Sequence, residues 1–254
     1  MAKLEIRQFM CLSDNFGVLI HDPGAGLTAS IDAPEARPIE AALAAAGWRL
    51  THILNTHHHG DHVGGNLKLK DRTGCVIVGP RGSRIPGIDV EVGDGESFEF
   101  GGHVAHIIAT PGHTLDHICY WFKEDKLVFV GDTLFALGCG RVFEGTPRQM
   151  CASLRKLAGL PAETSVYCGH EYTLANAKFA LTIEPENAAL KRRAAEIRAL
   201  RAENKPTLPT SIGEELATNP FLRAETPELQ RALAIPGSAP ADVFALVRER
   251  KDNF

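Results

Sequence analysis

The sequence predicts an α/β protein: a largely β region with interspersed helices over residues 1–172, then a small all-helical subdomain over 173–254. Three observations carry this. Short apolar, β-branched runs bounded by turn residues recur from the N-terminus, helical periodicity takes over after Glu171, and a Pro-rich stretch at 205–220 joins the later helices. A chain of 254 residues, 44% hydrophobic and 23% charged, can bury a real core and has the composition of an ordinary folded protein.

In chain order, the runs 4–9, 17–21, 27–32, 52–55, 75–79, 104–109, 117–122, 126–131 and 165–168 read as strands by length and residue type. Between them, 39–46 is Ala-rich and stops at Gly47. The segment 149–158 is opened by Thr146 as N-cap, Pro147 at the first helical position and Gln149 in the capping-box position. Segments 174–181, 186–203 and 242–251 carry the 3.6-residue period.

Lys+Arg 27 against Asp+Glu 31 gives a net charge of -4, which disfavours a surface built to neutralise phosphates, so no nucleic-acid partner is expected. The opening MAKLEIRQFM has the pattern of no leader, and no run reaches the ~18 apolar residues of a membrane span. A cytoplasmic monomer without membrane partners is the expectation. Six cysteines without a C-x-x-C pair read as thiols in a reducing compartment.

The histidines concentrate the chemistry. The run at 52–55 leads into Thr56-His57-His58-His59-Gly60-Asp61-His62, a T-H-x-H-x-D-H pattern. Histidines at i and i+2 of an extended loop point to one side, and a carboxylate and third histidine at a helix start can face a second point a few Å away. Such a segment can serve two metals. His58, as the x, points away. Three more strand ends each present one ligand-type side chain near a glycine: His113 after 104–109, Asp132 after 126–131 and His170 after 165–168. His117 reads as support behind the ligands, and His21, His52, His103 and His106 as structural or surface residues.

On these motifs the sequence resembles the metallo-β-lactamase superfamily and, within it, the glyoxalase II family. The closer likeness rests on Gly131-Asp132-Thr133-Leu134-Phe135, Gly138-Cys139-Gly140-Arg141, Gly169-His170-Glu171-Tyr172-Thr173, Asn219-Pro220-Phe221 and the tail 247–252. The resemblance implies an αββα sandwich carrying a C-terminal helical subdomain. It implies His57, His59 and His113 as ligands of a first metal, Asp61, His62 and His170 as ligands of a second, and Asp132 as the bridge. It implies glutathione contacts from Arg141, Phe143, Tyr172, Arg248 and Lys251. Many relatives have Lys and Tyr where this chain has Arg141 and Phe143; Arg keeps the cation with another geometry, and Phe143 lacks the hydroxyl.

The implied cofactors are two divalent ions, zinc first, with Fe2+ or Mn2+ also suited to a set without thiolates. The implied reaction is attack of a dimetal-bound hydroxide on S-D-lactoylglutathione, giving glutathione and D-lactate, the second step of methylglyoxal detoxification. The resemblance implies Asp61 and Asp132 as the catalytic carboxylates, with Asp61 placed to orient the nucleophile. Alternatives are another hydrolase of the superfamily, such as a β-lactamase or nuclease, or a mononuclear-iron persulfide dioxygenase, separated by metal count. Purely structural metals are the non-enzymatic alternative, disfavoured because structural sites are closed.

Overall fold

Two antiparallel strands, β1 (Glu5–Cys11) and β2 (Asn15–Asp22), open the chain, and β2 is buried almost throughout because it has a neighbour on each edge. A computed structural model describes residues 3–254; residues 1–2, the head of the stretch read as carrying no leader, lie outside the described residues. The chain divides into two compact units, one of residues 1–109 and 116–131, the other of residues 110–115 and 132–254.

In the first unit, β3 (Leu27–Ile31) extends the antiparallel pair. The sheet then turns parallel through β4 (His52–Leu54), β5 (Val76–Pro80) and β6 (Val90–Val92). Parallel neighbours need crossovers. These are supplied by α1 (Ala36–Ala46) before β4, and by α2 (Gly60–Val63) and α3 (Asn66–Thr73) before β5. Ile39 and Leu43 of α1 and Leu69 of α3 pack on Leu19, Ile53 and Ile77 of the sheet. An antiparallel set, β7 (Ser97–Phe100), β8 (His103–Ala109), β9 (Ile118–Phe122) and β10 (Leu127–Gly131), forms the second layer. The layers are tied together at one end of β4. The buried Tyr120 hydroxyl donates to Asn55 O at 2.8 Å, and Ile118 N to Thr56 O at 2.9 Å.

The second unit begins with a small hairpin, β11 (Leu134–Phe135) and β12 (Gly138–Cys139), and then α4 (Pro147–Ala158). The expected cap is present: Thr146 Oγ1 accepts from Gln149 N and Gln149 Oε1 accepts from Thr146 N. After β13 (Ser165–Cys168) follow α5 (Thr173–Ile183), α6 (Ala188–Ala202), β14 (Thr210–Ser211), α7 (Ile212–Thr218), α8 (Pro227–Ala232) and α9 (Pro240–Asp252). Alanines let α5 and α6 approach closely: Ala177 and Ala180 meet Leu190, Ala194 and Ile197, with Leu137 inserted.

All nine expected strands and all five expected helices are present, with ends shifted by a few residues. The reading missed β6, β7, β11, β12 and β14, each four residues or fewer. It also missed α3, α7 and α8, too short to show a period, and gave no range for α2, although it placed Asp61 and His62 at a helix start. Helix α7 lies inside the stretch read only as Pro-rich, and its signal was Ser211, whose hydroxyl accepts from Glu214 N at 3.2 Å.

Candidate metal centre

Just beyond β4, Asn55, Thr56 and His57 are fully buried. Their polar groups therefore need partners. Asp32, at φ +55 just after β3, supplies them. Its Oδ1 accepts from Thr56 N at 2.7 Å, and its Oδ2 accepts from the Thr56 hydroxyl at 2.9 Å and from His62 Nδ1 at 2.8 Å. Since Thr56 spends its proton on Asp32, its oxygen accepts from His57 Nδ1, 3.0 Å away. Both His57 and His62 are thereby held with the lone pair on Nε2, the tautomer that ligates a cation.

His57 Nε2 lies 3.1 Å from His59 Nδ1, so the two imidazoles do point to one side. Asp61 Oδ2 lies 3.7 Å from His62 Nε2 and accepts from Asn15 Nδ2 at 3.2 Å. His117 stacks on His57 with ring centroids 4.8 Å apart. His58 turns away to Asp116 Oδ2 at 2.9 Å. A Cβ on Gly131 (φ +46) would fall 2.5 Å from Thr56 Oγ1 and 2.7 Å from His117 Nε2, so only glycine lets β10 end here.

In the second unit, Asp132 Oδ2 is 3.5 Å from His113 Nε2 and 3.3 Å from His170 Nε2. The His113 tautomer is again set from behind, by Nδ1 donating to Arg141 O at 2.9 Å. Gly140 makes this approach possible: a Cβ there would fall 2.0 Å from Asp132 O. The set fits divalent cations of borderline hardness, being imidazole and carboxylate without thiolate. Two Zn–N bonds of about 2.0–2.1 Å in a tetrahedron place the nitrogens ~3.3 Å apart, close to the 3.1 Å between His57 Nε2 and His59 Nδ1.

Around the second-unit set lie the residues assigned to substrate. Tyr172 stacks on His170 (4.8 Å, 3° between planes), and the exposed Phe143 ring is tilted over His113 at 5.2 Å. Arg248 is buried: Nη1 donates to Cys139 O at 3.0 Å, Nη2 to Asp252 Oδ1 at 2.8 Å, and the guanidinium covers Phe221. Lys251 Nζ sits over the Phe179 and Phe254 rings at 5.2 and 5.4 Å, and burial, then Arg248 and Arg141, lower its pKa. Arg141 is exposed, with Nε 4.0 Å from Asp252 Oδ1.

Residues 13–170 match the family model described as metallo-beta-lactamase superfamily, and residues 171–254 match hydroxyacylglutathione hydrolase C-terminus. Curated hydroxyacylglutathione hydrolases from Rhizobium etli and Methylococcus capsulatus are 58% and 56% identical to it. The first alignment covers 100% of each chain and the second 99%. The chain belongs to the hydroxyacylglutathione hydrolase family. Among solved structures, ETHE1 from Myxococcus xanthus is 29% identical with a TM-score of 0.66, covering 95% of this chain and 99% of that one. A metallo-beta-lactamase from Staphylococcus aureus, 18% identical at a TM-score of 0.66, covers 98% of this chain and 71% of its own and shows the shared fold. The expected metallo-β-lactamase fold with a C-terminal helical region is thus the fold of this family member.

In this family member, the sequence motifs do not single out Asp32 and Asn15. Asp32 was read as the last residue of a strand, although it too follows an apolar strand. Asn15 carried no signal by itself, because its partner Asp61 is 46 positions away.

Proposed function

We propose that this family member hydrolyses S-(2-hydroxyacyl)glutathione, S-D-lactoylglutathione foremost, to glutathione and the free 2-hydroxy acid. The single observation that carries the reading is Asp132 Oδ2 within 3.5 Å of Nε2 of both His113 and His170, the setting of a carboxylate shared by two cations. The hydroxyacylglutathione hydrolase C-terminus match over 171–254 favours this substrate over a β-lactam or a persulfide.

His57, His59 and His113 would hold one ion, and Asp61, His62 and His170 the other, with Asp132 between them and zinc as the metal. When bound, the pair of ions supplies Lewis-acid polarisation of the thioester carbonyl and a water acidic enough to react near neutral pH.

The protein's own residues do the rest. Asn15 Nδ2 holds Asp61, whose carboxylate orients the attacking water and accepts its proton. Asp32 and Arg141 O keep three imidazoles in one tautomer, so no reorganisation is needed during the reaction. The C–S bond breaks without a general acid, since a thiol of pKa ~8.5 leaves readily as thiolate. Phe143 and Tyr172 flank the reacting carbonyl, and Arg141, Arg248 and Lys251 receive the peptide's carboxylates.

The helical residues 173–254 serve substrate binding on this reading, and residues 1–172 the chemistry. We assign the reaction to a monomer in the cytoplasm. The six buried cysteines, none disulfide-bonded, agree with a reducing compartment, and no helix among the described residues is long and apolar enough to cross a membrane. The test is hydrolysis of S-D-lactoylglutathione with metal content measured on the same sample. Two zinc ions per chain with turnover supports the reading; one iron and no thioester hydrolysis overturns it.

A further inference from the structure

The β11–β12 hairpin joins Asp132 on one side to Arg141 on the other, and five of its backbone groups are held by side chains of the C-terminal helical region. Asn219 Nδ2 donates to Phe135 O (3.1 Å) and Gly138 O (2.9 Å), and Asn176 Nδ2 to Ala136 O (3.1 Å). Leu137 N, at the left-handed turn position (φ +58), donates to Glu215 Oε2 at 2.8 Å. Arg248 Nη1 closes the set on Cys139 O. Glu215 and Asn219 are fully buried and bonded to each other at 2.9 Å, and Glu215 Oε1 also accepts from Thr210 at 2.7 Å.

A two-strand hairpin cannot fix its own outer backbone groups, and buried ones left unpaired are costly. These five groups are satisfied instead from α5, α7 with Asn219 at its C-terminal cap, and α9. At the hairpin's base, Gly140 N donates to Thr133 O and Arg141 O accepts from His113 Nδ1, so a shift of the turn reaches both Asp132 and His113.

We propose that Glu215 and Asn219 are positioning residues for the reaction: by clamping the β11–β12 turn they set Asp132, His113 and Arg141 together, so that metal retention and turnover depend on a helix that supplies none of the ligands. The inference rests on the proposed metal assignment of Asp132 and His113. Neither Glu215 nor Asn219 touches substrate or metal.

The experiment compares Glu215→Ala, Asn219→Ala and Glu215→Gln with the parent. Metal affinity is read by zinc competition with a chromophoric chelator, and kcat and KM on S-D-lactoylglutathione. Both alanine variants are expected to lose roughly ten- to a hundred-fold in metal affinity and kcat, as for residues that orient ligands from behind. Glu215→Gln should stay near the parent, since an amide oxygen still accepts from Leu137 N and Asn219 while its NH2 donates to Thr210 Oγ1. Alanine variants that fold, as judged by circular dichroism, and hold zinc as tightly as the parent overturn the proposal. If they do not fold, Asn176→Ala, which removes only the bond to Ala136 O, must show a smaller loss of zinc affinity; none at all overturns it equally. A parent that binds two zinc ions but leaves the thioester intact would sink the substrate reading alone, because zinc affinities still decide the clamp.

Discussion

His62 Nδ1 donates to Asp32 Oδ2 across 2.8 Å, and both side chains are almost wholly buried. The same carboxylate fixes His57 through the Thr56 hydroxyl, so one aspartate outside the T-H-x-H-x-D-H motif sets the tautomer of two of its histidines. Asp32→Ala is therefore expected to weaken zinc binding by roughly ten- to a hundred-fold. Equilibrium dialysis measures it, and zinc affinity equal to the parent's would reduce Asp32 to a strand terminator.

Asp132 is the carboxylate placed against two imidazoles. Asp132→Ala is expected to leave less than two metals per chain and to lower kcat by several orders of magnitude, with the circular dichroism spectrum unchanged. Full metal content with near-normal turnover would contradict the shared-carboxylate assignment.

How much of this was readable beforehand differs by element. The ligand-type histidines and aspartates were legible because each follows a strand, where local sequence alone fixes the direction of the side chain. The structure brings His57 near His59, and Asp132 near His113 and His170. Asp32, Asn15, Glu215 and Asn219 were not assigned these contacts, since each acts on a partner 30 to 84 positions away through a bond that only the tertiary fold creates. Asn219 did stand in a motif, but the motif carried no hint that it holds a hairpin. Arg248 and Lys251 looked equivalent at i and i+3, and burial separates them.

Glu215 offers a pH test. Burial raises its pKa from 4.5 to about 7. The folded state thus holds this proton more tightly than the unfolded chain does. Its stability contribution is whole below pH 4.5, falls as pH rises through the interval, and levels off above about 7. The full span is at most roughly 3 kcal/mol, from 1.36 kcal/mol per pKa unit. Glu215→Gln has no such proton, so its urea-melt stability relative to the parent should improve between pH 4.5 and 7 and then stay constant. A difference that does not vary with pH would mean that the carboxylate is already ionised in the fold across this range.

The final helix carries the substrate test, and its two cations should behave differently. Arg248 is spent largely on the protein, with Cys139 O, Asp252 and the Phe221 ring as partners. Lys251 sits at a more open position, its ammonium over the Phe179 and Phe254 rings, and keeps its charge available to an anionic end of glutathione. Lys251→Ala is therefore expected to raise KM for the glutathione thioester about tenfold, within the ~1.5–3 kcal/mol of a charge-assisted bond reduced by competing water. Its kcat should barely change, because the contact is remote from the carbonyl and equal in ground and transition states. The effect should shrink at high salt. Because Lys251 has a lowered pKa, KM in the parent should also rise at a less alkaline pH than an ordinary lysine would require. Arg248→Ala should raise KM too, but it also strips Cys139 O of its donor, so Tm and kcat are expected to fall with it. A small neutral thioester separates the two: Lys251→Ala should hydrolyse it as the parent does, and Arg248→Ala more slowly. Identical profiles for the two variants on both substrates would mean that α9 treats its cations alike, and that the buried contacts of Arg248 have no bearing on the hairpin carrying Asp132.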